Sequence, residues 1–462
     1  MSQDNLEQNL LVARFEEMVR KHAEYFFDAE EFETVIDFYI DKNQLVTANQ
    51  VGDFAVRQHP FSAVFPIRKA QLLSALNETQ AALEQLQGAE RLEPSNPELF
   101  MTRGGVYSQM GLSEKAIQNF KKALDYSEDK DQVYLNIAFE FENLSKYADA
   151  IFFLKKALSD NPENESAIYE LAFCYELNGQ HEESARYFSA FIDESPYSYP
   201  AWFNLGVALN RLGKFAEAID AYDYCLAIRE DFASAYFNKA NSYANLEKLD
   251  EAIATYKETF NYEEPDATTY YYLGECHEKK EDFETALGYY NRAIKLDPQM
   301  ADAWMGVGVV LELQNRLVEG IHYVKKALEL DPQNAEYQYI FGDIQHKMGF
   351  LEEAEKAYRK VIELTPEETE IWLDYSALLF EMERKTDALE LLTEGIKYHP
   401  QNAELNYRMS AYLLETGQKQ EALGYLQNAL VLDYEKHNEL FDYLPQLKEN
   451  TSIVDLIESY RK

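Results

Sequence analysis

The chain has 462 residues, enough for several globular domains, of which 46% are hydrophobic and 14% aromatic. Acidic residues number 82 against 43 basic ones, a formal net charge of −39. A surface this acidic repels nucleic acid and anionic lipid, which both need Lys and Arg to displace their counterions, and it favours basic partners by long-range steering.

The opening residues MSQDNLEQNL have neither the basic n-region nor the apolar h-region of a signal peptide, and no apolar run reaches the length of a bilayer span. The three cysteines, Cys174, Cys225 and Cys276, follow no metal or redox spacing. A reducing, cytoplasmic address without membrane insertion is expected, so the sequons at Asn77, Asn143, Asn164 and Asn450 carry no weight. Asp4 is placed to cap a helix that turns Leu6, Leu10, Phe15, Met18 and Val19 inward. Residues 1–28 are expected to be an N-terminal capping helix, with a docking helix for a partner as the alternative.

From residue 29 the sequence repeats every 34 residues. LDPQ at 296–299 returns at 330–333, and a variant, LTPE, follows at 364–367. Within Ala301–Asn334, Trp304, Val307, Gly308 and Leu311 form one apolar set, and Gly320, Ile321, Val324, Ala327 and Leu328 a second. Spacings of three and four make each set the face of a helix. Asn315 marks the turn between them and Pro332 stops the second helix. Sliding this frame gives twelve units, which begin at Ala29, Ala63, Pro97, Asp131, Glu165, Tyr199, Ala233, Ala267, Ala301, Ala335, Thr369 and Ala403. The eighth place is small in eleven of them, Ile36 being the exception, and the twentieth is small in all twelve, so paired helices can approach closely there.

An aromatic, then Leu-Gly, Tyr, Ala, aromatic, Ala and Pro in a 34-residue frame resembles the tetratricopeptide repeat. The resemblance covers residues 29–436 without insertion. It implies an all-α, right-handed superhelical solenoid (an α–α superhelix) of twelve repeats between helical N- and C-terminal caps, one quasi-one-dimensional body. The first two units are the most degenerate: Gly52 stands where an aromatic is usual, and Pro66 where Trp or Tyr would be. Pro closes eight units, while Glu128, Glu230, Glu264 and Tyr434 replace it in the others, which predicts looser junctions at those four. Residues 437–462 begin like a further first helix and depart at Pro445. They are expected to cap the array by setting Ile453, Val454, Leu456, Ile457 and Tyr460 on the last repeat.

No catalytic, cofactor or metal site is expected. Gly306 and Gly308 imitate the start of a dinucleotide fingerprint, but no third Gly follows and no strand precedes. His277 is one of eight histidines that include no HExxH pair, and neither a phosphate loop nor a nucleophile elbow occurs. The enzyme reading is set aside.

The family likeness implies that first helices line a concave wall and touch ligand through places two, five, six, nine, twelve and thirteen. At the fifth and ninth places, units four to seven carry Leu135 and Phe139, Tyr169 and Phe173, Phe203 and Val207, then Phe237 and Asn241. Residues four apart share a helical face, so these make an apolar strip that is either a peptide site or helix–helix filling. Beside it, at the sixth place, stand Asn136, Asn204 and Asn238, interrupted by Glu170. Each Asn offers a donor and an acceptor to an extended backbone, similar to the asparagine ladder of the glycosyltransferase that carries such an array. The carboxylate clamp for chaperone C-termini is disfavoured, because the fifth place never holds Lys.

Later first helices carry an acidic groove end, Glu275, Glu278, Glu312 and Asp343 among eleven acids, opposed by Lys279, Lys347 and Arg408. It either selects a basic segment or is a solvated acidic face. The expected function is a non-enzymatic scaffold or adaptor that binds extended segments of protein partners. A structural subunit of a larger cytoplasmic assembly is the alternative, and a helical-repeat RNA binder is opposed by the charge.

Overall fold

The computed structural model describes residues 3–461, with side chains from residue 8 onward, so the expected roles of Asp4 and Leu6 lie outside the described side chains. Two compact units are present, 1–242 and 243–462. The first holds α1 (Gln3–Lys21), α2 (Ala29–Asp41), α3 (Leu45–Gln58), α4 (Val64–Ala75), α5 (Thr79–Leu92), α6 (Pro97–Gln109), α7 (Ser113–Leu124), α8 (Asp131–Asn143), α9 (Tyr147–Asp160), α10 (Glu165–Leu177), α11 (His181–Glu194), α12 (Tyr199–Arg211) and α13 (Phe215–Ile228), and ends within α14 (Ala233–Asn245). The second holds α15 (Leu249–Glu258), α16 (Ala267–Lys279), α17 (Phe283–Leu296), α18 (Ala301–Leu313), α19 (Leu317–Leu330), α20 (Ala335–Lys347), α21 (Leu351–Leu364), α22 (Thr369–Glu381), α23 (Lys385–Tyr398), α24 (Ala403–Glu415), α25 (Lys419–Leu432), the short α26 (Asn438–Tyr443) and α27 (Thr451–Ser459). Each unit is an all-α solenoid of stacked helix pairs.

The 34-residue frame is visible in the helix boundaries. First helices open on the first place of the frame, with a one-residue delay at α4, and every second helix from α3 to α25 opens on the seventeenth. Side-chain oxygens of Asp28, Asn96, Asn164, Asp266, Asn334 and Asn402 accept from the first turn of the helices they precede, so one sequon, Asn164, is a helix cap.

Between first and second helix the turn is uniform. The fifteenth place lies in the left-handed region in every pair, with Gly at Gly111, Gly179, Gly213, Gly349 and Gly417 and an ordinary side chain elsewhere, including Asn315 at φ 59°. The following N–H bonds back five residues, as from Lys146 to Phe141 O at 2.8 Å and from Arg316 to Leu311 O at 2.8 Å. This Schellman closure satisfies the last carbonyls and reverses the chain in three residues.

The small eighth place has a specific cause. A Cβ on Gly206 would stand 2.5 Å from the Tyr222 ring, on Gly274 2.6 Å from Tyr290, on Gly342 2.5 Å from Tyr358, and on Gly308 2.5 Å from Val324. In each case the bulky twenty-fourth residue of the second helix seats on the bare backbone of the first. In the first pair the sizes are exchanged: the eighth place holds the fully buried Ile36, and the twenty-fourth is Gly52. That pair is therefore repacked as well as divergent. The twentieth-place alanines are fully buried.

Two of the four junctions without Pro are altered. Second helices run to the thirtieth place of the frame, but α7 stops at Leu124, and α15 at Glu258 with a 3-10 turn over Thr259–Asn261. At Glu230 and Tyr434 the helices keep full length, because Arg229 and Asp433 adopt the extended conformation that a following Pro imposes elsewhere. Arg229 is held there with its guanidinium 4.7 Å over the Tyr199 ring. In α1, Val12, Phe15 and Met18 are buried with Phe27 and Phe32, whereas Leu10 and Val19 are exposed, so the inward stripe is shifted from the expected one. Ile453 and Ile457 join the cluster of Leu426 and Leu430, with Leu456 and Tyr460 at its edge and Val454 only half-buried.

Substitution separates the two kinds of glycine. Gly342→Ala drives a methyl into Tyr358 and is expected to cost about 1–3 kcal/mol of stability. Gly288→Ala and Gly424→Ala, where an added Cβ meets nothing within 4 Å in α17 and α25, are expected to gain about 0.5–1 kcal/mol from helix propensity. Urea unfolding followed by circular dichroism reads both signs.

Candidate functional site

Within residues 1–242, first helices α4 and α6 pack side by side, as do α10 and α12, and a Cys174–Glu142 hydrogen bond joins α10 to α8. The ninth and thirteenth places of α10 carry Phe173 and Leu177, 50% and 47% exposed. They lie one helical turn apart and form the most accessible apolar element of the first-helix face. Leu177 is absent from the sequence-derived strip. Its signal in the sequence is an apolar residue at the thirteenth place of the frame, outside the fifth- and ninth-place strip.

Other members of the strip sit deeper. Leu135 is buried, and Phe139, Phe203 and Val207 pack half-buried on the same cluster. Phe203 stacks edge-on against Phe232 at 5.0 Å and lies 6.0 Å from Tyr222, so most of its ring seals neighbouring pairs. Tyr169 is half-buried, and burial together with the neighbouring Tyr199 raises its phenol above the ordinary range. Phe237 and Asn241 are half-buried on α14.

The asparagine row is tied to its own helices. Asn204 is 5% exposed and donates from Nδ2 to Pro200 O at 2.9 Å, and Asn238 donates to Ser234 O at 2.9 Å. Asn136 accepts from Gln132 Nε2 at 3.2 Å. Burial removes Leu135 and Asn204 from the accessible strip, because a side chain already enclosed cannot face a ligand.

Beside Phe173 stands a carboxyl pair. Glu142 on α8 and Glu170 on α10 hydrogen-bond to each other, and Cys174 Sγ donates to Glu142 Oε1 at 3.2 Å. Burial, reinforced by the Glu170 charge, pushes the Glu142 carboxyl up to about 7. Glu170 rises for the same first reason, burial.

In residues 243–462 the expected acidic groove end is largely committed to hydrogen bonds. Glu275 pairs with Lys279 at 2.8 Å and Glu312 with Lys347 at 2.5 Å. Tyr290 Oη donates to Glu278 at 2.6 Å, Tyr358 Oη to Asp343 at 2.5 Å, Tyr339 Oη to Asp374 at 2.5 Å, and Tyr337 Oη to Asp302. Burial raises both Glu278 and Asp343 above the ordinary carboxylate range despite those bonds. Arg408 is not a free counter-charge. Its guanidinium lies 4.0 Å over Tyr443 and donates to the Tyr412 and Tyr443 hydroxyls at 3.2 and 3.1 Å. The tyrosines that hold these acids were legible as repeat aromatics, but their hydroxyls were not followed.

Cys174, Cys225 and Cys276 are buried, and burial raises the Cys225 thiol to about 12 and that of Cys276 to about 11, so they act as small packed groups. His277 Nδ1 faces Asp282 Oδ2 at 3.0 Å across its own turn. Among the described residues, no cluster of three or more His, Cys, Asp or Glu is arranged for a metal. No described helix is long and apolar enough to cross a membrane.

Tetratricopeptide-repeat models match residues 237–301, 278–335 and 377–434 in one form and 97–130 and 335–368 in another. The model for anaphase-promoting complex, cyclosome, subunit 3 matches 143–225. No curated protein matches the chain. Similar solved structures include the APC/C hetero-tetramer Cut9-Hcn1, at 15% identity over 92% of this chain and 94% of that one with a TM-score of 0.44. Yeast Tom70 is 16% identical over 86% and 99%, also at 0.44. YrrB, described as a TPR protein with an unusual peptide-binding site, is 25% identical over 39% and 94% at 0.33. Helix pairs in a 34-residue register and repeat models matched in both units make the same assignment: the chain belongs to the tetratricopeptide-repeat proteins, a family of protein-interaction scaffolds rather than enzymes.

Proposed function

We propose that this scaffold holds an extended segment of a partner protein on the first-helix face of residues 1–242, anchored at Phe173 and Leu177. The observation that carries the reading is that pair's exposure, 50% and 47%, on a face whose other aromatics are packed. Phe139 and Val207 extend the anchor on either side, and a preformed surface lowers the ordering cost of capturing a flexible segment. The Glu142–Glu170 pair beside Phe173 has no cation paired with it among the described residues, and with the chain's net charge of −39 it favours a segment with a basic residue next to its apolar one. Residues 1–28 and 437–462 serve as end caps in this reading, the compartment is cytoplasmic, and neither nucleic acid nor a chaperone C-terminus is the ligand. A second reading, a permanent subunit of a multi-protein assembly, is supported by the subunit-3 match over 143–225.

Phe173→Ser combined with Leu177→Ser is expected to leave the circular dichroism spectrum and melting temperature unchanged. It should weaken capture of partners from native extract about tenfold or more, as removal of an anchor does. If the double variant melts early, the two residues are core and the site lies elsewhere.

The carboxyl pair gives a pH signature. Glu142 keeps its proton to about pH 7 in the folded chain but releases it near its ordinary 4.5 when unfolded, so between those values the folded state binds more protons. Stability from the neutral carboxyl is therefore complete below 4.5 and lost as pH rises towards 7. Glu142→Gln should melt with the wild type at pH 4.5 and above it at pH 8; parallel curves at both pH values would mean that the carboxyl is not shifted.

A further inference from the structure

The chain has 82 acids and 43 bases, yet two consecutive second helices of residues 1–242 each carry a pair of lysines at the same places of the frame. Lys121 and Lys122 on α7, and Lys155 and Lys156 on α9, are all exposed, at the twenty-fifth and twenty-sixth places of consecutive pairs. They make no ion pair among the described residues and lie instead over aromatic rings. Lys121 Nζ is 5.8 Å from the Phe141 centroid and 5.6 Å from that of Phe153. Lys156 Nζ is 4.6 Å from Phe152, 5.6 Å from Tyr134 and 5.9 Å from Phe153. Two ammonium groups therefore share Phe153, with Phe152 left 55% exposed beside them. Lys122 lies over Phe100 and Lys155 over Tyr175 and Tyr187, and these two feel the fields of Glu90 and Glu183.

The repeat frame does not produce this patch. The same two places on α19 hold Lys325 and Lys326, where Lys326 is neutralised by Glu329 at 2.9 Å. On α7 and α9 two ammonium groups lie 5.6 and 5.9 Å from the centroid of one ring, so an anion that reaches both is attracted by two like charges at once.

We propose that the α7–α9 face docks an acidic segment of a partner protein, with its carboxylates between Lys121 and Lys156 and an apolar side chain over Phe152. The surface is separate from the first-helix anchor, so a scaffold with both engages two segments of opposite charge. Complementarity selects the acidic one here, since the patch gathers positive charge on a chain whose net charge is −39.

The test is fluorescence anisotropy with a labelled peptide of glutamates around one central phenylalanine, beside labelled oligouridylate at the same salt. Saturable, salt-sensitive binding of the peptide is expected. Lys121→Ala combined with Lys156→Ala should weaken it about tenfold, equivalent to about 1.4 kcal/mol, and Phe152→Ser should weaken it less. Lys325→Ala combined with Lys326→Ala should leave it unchanged. All these side chains are exposed, and circular dichroism checks that each variant folds. Absence of saturable binding, equal loss in the two lysine variants, or tighter binding of oligouridylate than of peptide overturns the proposal.

Discussion

The close seat of a second-helix side chain on the backbone of its first helix is the constraint on which the rest of the structure depends. At Gly206, Gly274 and Gly342 a tyrosine ring occupies the volume that a Cβ would take. The ring's dispersion contacts with bare backbone fix the spacing of the two helices. The left-handed residue and five-residue-back hydrogen bond of each turn fix their direction. Both devices are local to one pair and recur at 34 residues, so each pair carries its own geometry and passes only a face to the next. Places that neither device uses, the ninth and thirteenth of a first helix among them, are free to vary.

That division explains what was legible in the sequence. The frame set almost every helix start, because small residues at the eighth and twentieth places and Pro at the thirty-second are backbone requirements, and a backbone requirement selects residue type directly. Side-chain exposure is different in kind. Phe139, Phe173 and Val207 share the ninth place, yet Phe139 and Val207 are half-buried and Phe173 half exposed. What decides is the bulk of the residues packed around each: Phe232, in the loop that closes the same unit, lies over Phe203, and among the described residues no comparable ring closes over Phe173. Asn204 and Asn238 read as ligand donors until the carbonyl four residues back is seen to take their amides. The shifted stripe of α1 has the same origin, since Phe27 and Phe32 determine which side of that helix is covered.

Charge was legible as a total and misleading as a map. Eleven acids against three bases on the later first helices suggest an open negative field, but tyrosine hydroxyls at Tyr290, Tyr339 and Tyr358 bind carboxylates 12 to 35 residues away. These bonds join places that a linear reading treats as separate classes, repeat aromatics on one side and surface acids on the other. Such acids stiffen the array more than they attract ligand, because their lone pairs are partly taken and their burial disfavours the ionised form. The lysines of α7 and α9 show the converse, a surface where Lys121 and Lys156 lie over aromatic rings rather than on carboxylates.

The α10 face concentrates two costs that packing alone would not retain. A phenylalanine ring half exposed to water forgoes on the order of 1 kcal/mol of apolar burial. One turn away, Glu170 is held against Glu142 closely enough that the pair keeps a proton to about pH 7. A polar residue at the ninth place and a neutral one at the sixth would remove both costs without disturbing the eighth-place seat, since Ala172, Cys174 and Leu171 carry the buried side of the same helix. A partner segment that lays an apolar side chain on Phe173 and brings a cation to the carboxyl pair relieves both at once, the second by releasing the shared proton. Binding energy at such a face comes partly from strain already present in the free chain, which favours the segment that carries both groups over one that carries either alone.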